Sequence, residues 1–251
     1  MKFSLNLKIL IILMISLIDK LFNGRLRKHL MLPYVTLITG DRGSGKSTLF
    51  ALIAQECNKQ GLKVFSQYPY KDCFIIPMEK KIINGIERYD VSKKWLYETD
   101  FTDSVILLDE VKTIWNARAY SKWSMEDEEF FNFIRKYNTR VFMATQAYDG
   151  VDLNVRRASD ECLYLSKGHF GFTHIEASTT TIAKVADKNT EVLGRMFKQG
   201  MRKVVWDVCE VPTGHFLFYR KPYYKDFITE FTYQKKSTPK LENWNSRGLL
   251  T

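Results

Sequence analysis

The sequence predicts an α/β fold in which a mostly parallel central sheet is flanked by helices. A strand-like run, Tyr34–Thr39, leads into a glycine-rich loop that a helix-like run follows. Two later apolar runs, Ser104–Leu108 and Arg140–Thr145, are each followed directly by a polar side chain. Because the carboxyl ends of parallel strands meet at one edge of a sheet, these loops and side chains are expected to lie together.

The glycine-rich loop fills the G-x-x-x-x-G-K-[ST] pattern of a phosphate-binding loop. Its glycines let backbone N–H groups close around phosphate oxygens, and the helix over 48–60 presents its positive end to them. Lys46 is expected to reach the β- and γ-phosphates of ATP and Ser47 to coordinate Mg²⁺. The alternative is a glycine-rich turn that binds nothing. The nucleotide-binding candidates are Gly40, Asp41, Arg42, Gly43, Ser44, Gly45, Lys46, Ser47 and Thr48.

Composition limits the partners and the number of domains. At 251 residues, the chain suits one large α/β domain with attachments. A net charge of +10 favours a polyanionic partner or an anionic membrane surface, although a solvated basic surface is an equally simple reading. The four cysteines and four histidines lack metal-ligand spacing, so reduced thiols and no structural metal are expected.

The first 30 residues form an apolar and basic segment that we separate from the ATPase domain, 31–232, and the tail, 233–251. The apolar run Ile9–Ile18 is shorter than the roughly 20 residues that span a bilayer, and no small-residue cleavage site follows it. Its helical spacing and the basic residues after it predict an interfacial membrane anchor. The alternative is a helix packed on the ATPase or on a neighbouring subunit.

The central region supplies the second strong motif. Lys63–Gln67 is strand-like, Ile82-Ile83 and Trp95–Tyr97 suggest short helical pieces, and Ser104–Leu108 runs directly into two carboxylates. This is the form of a Walker B motif. Asp109 is predicted to complete the Mg²⁺ shell, and Glu110 to polarise the water that attacks the γ-phosphate.

Basic and aromatic residues are interleaved between Lys112 and Trp123, where they would suit a nucleic-acid backbone or pack on the protein. Ser124 and Asp127 then predict a capping box that opens a helix. That helix is expected to bury four side chains on one stripe, namely Phe130, Phe133, Ile134 and Tyr137.

The strand over 140–145 ends in Gln146, which is placed to contact the γ-phosphate or its attacking water. Four arginines near this region are candidates for an arginine finger on a neighbouring subunit, although for each one taken singly a surface or ion-paired arginine is the simpler reading. They are Arg135, Arg140, Arg156 and Arg157.

Three stretches together resemble the ATPase domain of the zonular occludens toxin family, namely Phe130–Tyr137, Val141–Gln146 and Val151–Arg156. This family belongs to the FtsK-HerA group of hexameric DNA-pumping ATPases and includes filamentous-phage assembly proteins. The resemblance implies a RecA-like P-loop ATPase that moves single-stranded or duplex DNA on the cytoplasmic side of the host membrane, or in the host cytoplasm, alongside phage assembly proteins.

Carried over by position, the resemblance assigns Lys46 and Ser47 to ATP and Mg²⁺, Asp109 and Glu110 to catalysis, and Gln146 to sensing. Arg156 would lie near the subunit interface of a ring. The ring is expected to be a hexamer. Unlike the phage members, this chain has its apolar segment before the ATPase domain. A genome-packaging ATPase of a tailless virus is the other possibility within the group.

The carboxyl-terminal third is predicted to extend the sheet. Strands over 169–178 and 203–210 are expected, with Pro212-Thr213-Gly214 turning the second into a hairpin with His215–Arg220. Overall, we expect ATP hydrolysis coupled to DNA movement. A P-loop small-molecule or nucleotide kinase and a nucleotide-switched scaffold for virion assembly are the alternatives.

Overall fold

The computed structural model describes residues 2–83, 86–118, 123–185 and 205–226. The helices in these ranges are α1 (Lys2–Leu30), α2 (Lys46–Lys59), α3 (Lys93–Glu98), α4 (Met125–Phe133) and α5 (Leu153–Ala158). The strands are β1 (Val35–Gly40), β2 (Lys63–Ser66), β3 (Phe74–Ile75), β4 (Met78–Ile83), β5 (Ile86–Val91), β6 (Ser104–Leu108), β7 (Arg140–Thr145), β8 (Glu161–Lys167), β9 (Phe172–Val185) and β10 (Val205–Tyr219).

Eight of these strands form one sheet in the order β10-β9-β8-β1-β7-β6-β2-β3. Strands β1, β2, β3, β6, β7 and β8 pair in parallel, whereas β9 pairs antiparallel with both β8 and β10. Strand β7 lies between the strand that precedes the glycine-rich loop and the strand that precedes the acids. This order confirms the predicted RecA-like parallel sheet. Strands β4 and β5 form a separate two-stranded sheet.

Both faces of the parallel strands are covered, as their apolar composition requires. In β6, Val105 and Leu107 face the core that contains α2, while Ile106 and Leu108 face the core that contains α4. The same alternation places Phe142 and Met143 of β7 in opposite cores. The sheet is therefore a rigid platform, and its carboxyl edge holds the loops that carry polar side chains.

Helix α1 combines a packed half with an exposed half. Leu26 and Leu30 are fully buried against the domain, and Arg27 Nε lies 3.1 Å from Glu56 Oε1 on α2. Towards the amino terminus the large apolar side chains are exposed, at Ile9, Leu10, Ile11, Ile12, Leu13, Met14, Leu17 and Leu21. No helix in the described part of the chain is both long and apolar enough to cross a bilayer. Packing on the adjoining domain is thus confirmed for the second half of α1.

The structure corrects the predicted turn at Pro212-Thr213-Gly214, because β10 runs straight through it. Pro212 pairs with Ser178 and Gly214 with Ala177, so Thr213 is an extra residue in a β-bulge. Proline lacks the N–H that a regular ladder needs, and the bulge accommodates it without ending the strand. β10 pairs instead with β9, in an antiparallel ladder. Residues 203 and 204, which belong to the predicted strand over 203–210, and the tail over 233–251 lie outside the described residues.

Two helix predictions are also revised. Ile82-Ile83 belongs to β4 and not to a helical piece, whereas Trp95–Tyr97 does lie in α3. Helix α4 has the predicted capping box, but it ends at Phe133. Ile134 is buried as predicted, but the buried phenylalanine of α4 is Phe131, while Phe133 and Tyr137 are 37% and 50% exposed. Phe131 packs on Trp115 and Trp123, so the helix turns that side to the core and Phe133 away from it.

Candidate nucleotide site

The loop between β1 and α2 has the geometry of a phosphate cradle. Lys46 Nζ donates hydrogen bonds to the carbonyl oxygens of Gly40 at 2.6 Å and Asp41 at 3.1 Å. The side chain folds back over its own loop and is buried. Burial lowers the pKa of Lys46, while the nearby carboxylates of Asp109 and Glu110 act in the opposite direction. A buried ammonium beside two carboxylates can exchange its carbonyl contacts for phosphate oxygens.

Two positions of the loop require glycine because other residues approach their Cα atoms too closely for a side chain. A Cβ on Gly40 would lie 2.3 Å from the Leu165 carbonyl oxygen on β8, and Gly40 has φ +151°. A Cβ on Gly45, at φ +109°, would lie 2.8 Å from both Thr173 Oγ1 and Arg220 Cδ. The buried Ser44 hydroxyl has no hydrogen-bond partner within the protein. The loop residues therefore fit a phosphate chain that this hydroxyl and the backbone N–H groups at the start of α2 can bind.

The two acids lie at the end of β6, beside the loop. Asp109 N–H donates to Gln67 Oε1 at 2.9 Å, and Glu110 N–H donates to Asp109 Oδ1 at 2.9 Å. Burial raises the pKa of Asp109, and the hydrogen bond from Glu110 and the charge of Lys46 partly offset this. Asp109 is thus a half-buried carboxylate for which an added cation would replace lost solvation.

Glu110 is positioned from two sides. Its carboxylate accepts a hydrogen bond from the Gln146 side-chain amide and lies 3.2 Å from Lys112 Nζ. Its backbone adopts φ +49°, a left-handed conformation that is uncommon for a non-glycine residue and is concentrated at functional sites. Gln146 follows β7, the strand between β1 and β6, so the sheet order itself brings the amide to the carboxylate.

Ser47 and Asp109, the two predicted Mg²⁺ ligands, meet around a tyrosine. The phenol of Tyr70 is fully buried, forms a hydrogen bond with Ser47 and lies within electrostatic range of Asp109. Burial and the Asp109 carboxylate both raise the pKa of Tyr70, so it stays protonated. Alcohol and carboxylate oxygens are the hard ligands that Mg²⁺ takes alongside substrate phosphates and water.

Arg156 lies elsewhere in the structure. It is on α5, where its guanidinium carbon lies 5.0 Å from the Tyr148 ring centroid and its Nη1 lies 4.0 Å from Asp149. Arg135 pairs with Asp160, and Arg140 donates to the Met31 carbonyl at 3.3 Å near the amino end of β7. Arg157 is exposed. The structure thus brings Lys46, Ser47, Asp109, Glu110 and Gln146 together. It gives Arg135, Arg140 and Arg156 contacts of their own.

Both tryptophans of the basic and aromatic segment pack on the domain. Trp115 is buried and donates from Nε1 to Asp127, and Trp123 stacks on Phe131 with centroids 5.9 Å apart. Tyr120 and Lys122 lie outside the described residues. The packing alternative therefore holds for the two indoles.

Four residues of the site were not predicted. Gln67 follows β2, and a polar residue at the end of a parallel strand is a signal that would have found it. Tyr70 lies in the loop beyond, while Thr173 and Arg220 reach the phosphate loop from the start of β9 and the end of β10. Thr173 Oγ1 donates to the Ser44 carbonyl at 2.6 Å and Arg220 Nη1 to the Gly43 carbonyl at 3.2 Å.

The model of the zonular occludens toxin (Zot) family matches residues 34–221, a range that contains the loop, both acids and Gln146. The chain belongs to the Zot family. No curated protein matches it. Among solved structures, the chain is similar to the N-terminal domain of zonular occludens toxin from Neisseria meningitidis, with 18% identity, a TM-score of 0.47, and 77% of this chain and 98% of that one covered.

Two viral structures are also similar to this Zot-family chain. The genome-packaging NTPase B204 from Sulfolobus turreted icosahedral virus 2, in complex with ATP-gammaS, shares 9% identity at a TM-score of 0.38, with 58% of this chain and 91% of that one covered. B204, the DNA-packaging ATPase from Sulfolobus turreted icosahedral virus, shares 11% identity at a TM-score of 0.40, with 72% and 98% covered.

Proposed function

We propose that this Zot-family protein hydrolyses ATP and uses the free energy to move phage or viral DNA. The observation that carries the proposal is the meeting of three strand ends at one site. Lys46 follows β1, Glu110 follows β6, and Gln146 follows the strand between them. A triphosphate held by the loop would have its γ-phosphate beside the two acids, since both lie within electrostatic range of Lys46.

Each residue has a separate role in this mechanism. The loop N–H groups and Lys46 bind and orient the phosphate chain. Ser47 and Asp109 would hold Mg²⁺, which when bound neutralises charge on the phosphate oxygens. Glu110 accepts a proton from the attacking water, and Gln146 fixes the direction in which that carboxylate points.

DNA is the proposed cargo because the chain carries a net charge of +10 and a polyanion is the partner such a balance favours. Assembly into a ring, with Arg156 beside the nucleotide of the neighbouring subunit, stays a prediction. In its support, the buried Nε of Arg156 has no hydrogen-bond partner within the subunit.

We further propose that α1 binds the cytoplasmic face of the host membrane. The support is the exposure of six consecutive apolar residues, Ile9 to Met14, each 48–65% exposed. Such a surface is costly in water, and basic residues follow it at Arg25 and Lys28.

The central test is phosphate release from ATP by the purified full chain, with and without single-stranded or duplex DNA. Lys46→Ala is expected to lose nucleotide binding, and Glu110→Gln to keep binding but lose turnover by about 100-fold or more. DNA is expected to stimulate the wild-type rate. Full hydrolysis by Glu110→Gln would remove its catalytic assignment. Phosphate transfer that requires a nucleoside acceptor would indicate a kinase instead.

A further inference from the structure

Arg220 is attached directly to the phosphate loop from the far end of the chain. It follows β10, and its Nη1 donates to the Gly43 carbonyl at 3.2 Å. Its Cδ lies 2.8 Å from the point where a Cβ on Gly45 would sit, so it covers the start of α2. Thr173, on the paired strand, donates to the next carbonyl of the loop, that of Ser44. The base of the β9–β10 hairpin thus forms one wall of the nucleotide site.

The backbone that carries this arginine is fixed. Arg220 N–H donates to the Gly171 carbonyl at 2.9 Å, and its own carbonyl accepts from Tyr223 N–H at 3.0 Å. The preceding residue, Tyr219, is held by the Asn23 side chain through both its N–H and its carbonyl, at 2.8 and 2.9 Å. The backbone from which the guanidinium extends is therefore already ordered, which reduces the entropy lost when the side chain binds a ligand.

The hydrogen-bonding capacity of Arg220 is far from filled. Its buried Nε has no hydrogen-bond partner, and its Nη1 donates a single long bond to a neutral carbonyl. Among the residues that the structure describes, no carboxylate pairs with it. A guanidinium presents five donors in a fork that matches phosphate oxygens. Arg220 lies beside the amino terminus of α2, whose positive end favours an anion.

The position of Arg220 also indicates which phosphates it meets. Asp109 and Glu110 follow β6, on the β7 side of β1 in the sheet, so the γ-phosphate is expected on that side of the loop. Arg220 approaches instead through Gly43 and Gly45, from the strands beyond β8. The α- and β-phosphates, which ADP retains, are therefore its partners.

We propose that Arg220 is a nucleotide-binding residue supplied within the same subunit, which binds the α- and β-phosphates of ATP and ADP. This inference rests on the proposed function. It assigns Arg220 to ground-state binding, so its loss raises KM for ATP and leaves kcat unchanged. That separates it from Glu110, whose loss lowers kcat.

The test compares Arg220→Ala, Arg220→Gln and Arg220→Lys with the wild-type full chain, by titration with ATP and with ADP at low and high salt. Glutamine keeps an N–H donor for the Gly43 carbonyl but removes the charge. Both Arg220→Ala and Arg220→Gln are expected to raise Kd for the two nucleotides about tenfold, with a weaker salt dependence, and Arg220→Lys is expected to recover part of the loss. Lys225→Ala removes an exposed charge off the loop and is the matched control.

The outcomes are distinguishable. If Arg220→Gln binds both nucleotides as tightly as wild type, the side chain only braces the loop and the inference is wrong. A loss confined to ATP would also overturn it, since that places Arg220 at the γ-phosphate. Wild-type protein that binds neither nucleotide would instead contradict the proposed function.

Discussion

The side-chain amide of Gln146 donates a hydrogen bond to the carboxylate of Glu110, across the ends of two neighbouring strands. The same carboxylate lies 3.2 Å from Lys112 Nζ. These two groups therefore set the direction of the carboxylate. A general base needs such positioning before water arrives.

Gln146→Ala is expected to lower kcat about 10- to 100-fold, because Glu110 loses the donor that orients it. Nucleotide affinity should stay within about twofold, since the loop is untouched. Single-turnover hydrolysis and nucleotide titration measure the two effects. Gln55→Ala, an exposed amide on α2, is the control. An unchanged kcat would show that the contact does not position the base.

Asp109→Asn is expected to stabilise the nucleotide-free protein while abolishing Mg²⁺-dependent hydrolysis. Burial raises the pKa of Asp109, so the charged form costs stability as pH rises through that pKa. Asparagine keeps the acceptor for Glu110 N–H without the charge. The gain in Tm should be present at pH about 7 and shrink towards pH about 4, where the carboxyl is increasingly protonated.

Thermal melts at the two pH values, with and without Mg²⁺-ATP, test this. Asp149→Asn is the control because that carboxylate is exposed. A lower Tm for Asp109→Asn at neutral pH would contradict the expected cost of the buried charge.

Asp127→Ala is expected to destabilise the domain by about 3–5 kcal/mol, because Lys93 and Trp115 are left without their buried acceptor. Burial opposes ionisation of Asp127, but hydrogen bonds from Tyr97, Trp115 and Ser124 outweigh it and lower its pKa. Its contribution is therefore present above the unfolded carboxyl pKa and is lost as pH falls through the folded one. Urea unfolding over a pH series measures this, with the exposed Glu129→Ala as control. An equal loss of unfolding free energy in Asp127→Ala and Glu129→Ala would contradict this prediction.

Asn23→Ala is expected to cost about 2–3 kcal/mol, since two buried backbone groups of Tyr219 lose their partners together. This loss of stability should appear as faster amide hydrogen exchange at Tyr219 and in the segment that follows. Lys20→Ala, an exposed change on the same helix, should leave exchange unaltered. Protection of Tyr219 that survives in Asn23→Ala would mean that other contacts hold α1.

Leu13→Asp is expected to reduce binding to vesicles that contain anionic lipid at least about tenfold, because it places a charge in the exposed apolar segment. Vesicle flotation measures binding. Ser16→Asp adds the same charge on a polar position of that segment and is the comparison for charge alone. ATP hydrolysis should be unaffected in solution. If both variants float like wild type, the exposed apolar residues have another partner.

The parts of the fold and site that local patterns encode were predictable. The phosphate loop, the Asp109-Glu110 pair and Gln146 each follow an apolar strand, and a strand with its terminal polar residue is contiguous in sequence. The turn at 212–214 was wrong because Pro-Thr-Gly favours a turn locally, whereas the pairing of β10 with β9 continues across it as a bulge. The hydrogen-bonded ladder between β9 and β10 on either side of these residues outweighs their local preference for a turn.

Contacts between distant segments had no local signal. Arg220 is 177 residues from Gly43, and Thr173 is 129 residues from Ser44. Nothing in the flanking residues marks either side chain as part of a nucleotide site. Gln67 is intermediate, since its place at the end of β2 follows the same rule as Gln146 and only its partner, Asp109, depends on the sheet order.

The two hydrogen bonds between the Asn23 side chain and the Tyr219 backbone also connect α1 mechanically to the end of β10. Any displacement of α1 along its axis would act on Tyr219, and the next residue, Arg220, contacts the glycine-rich loop. A change in the position of α1 would therefore reach that loop through two neighbouring residues.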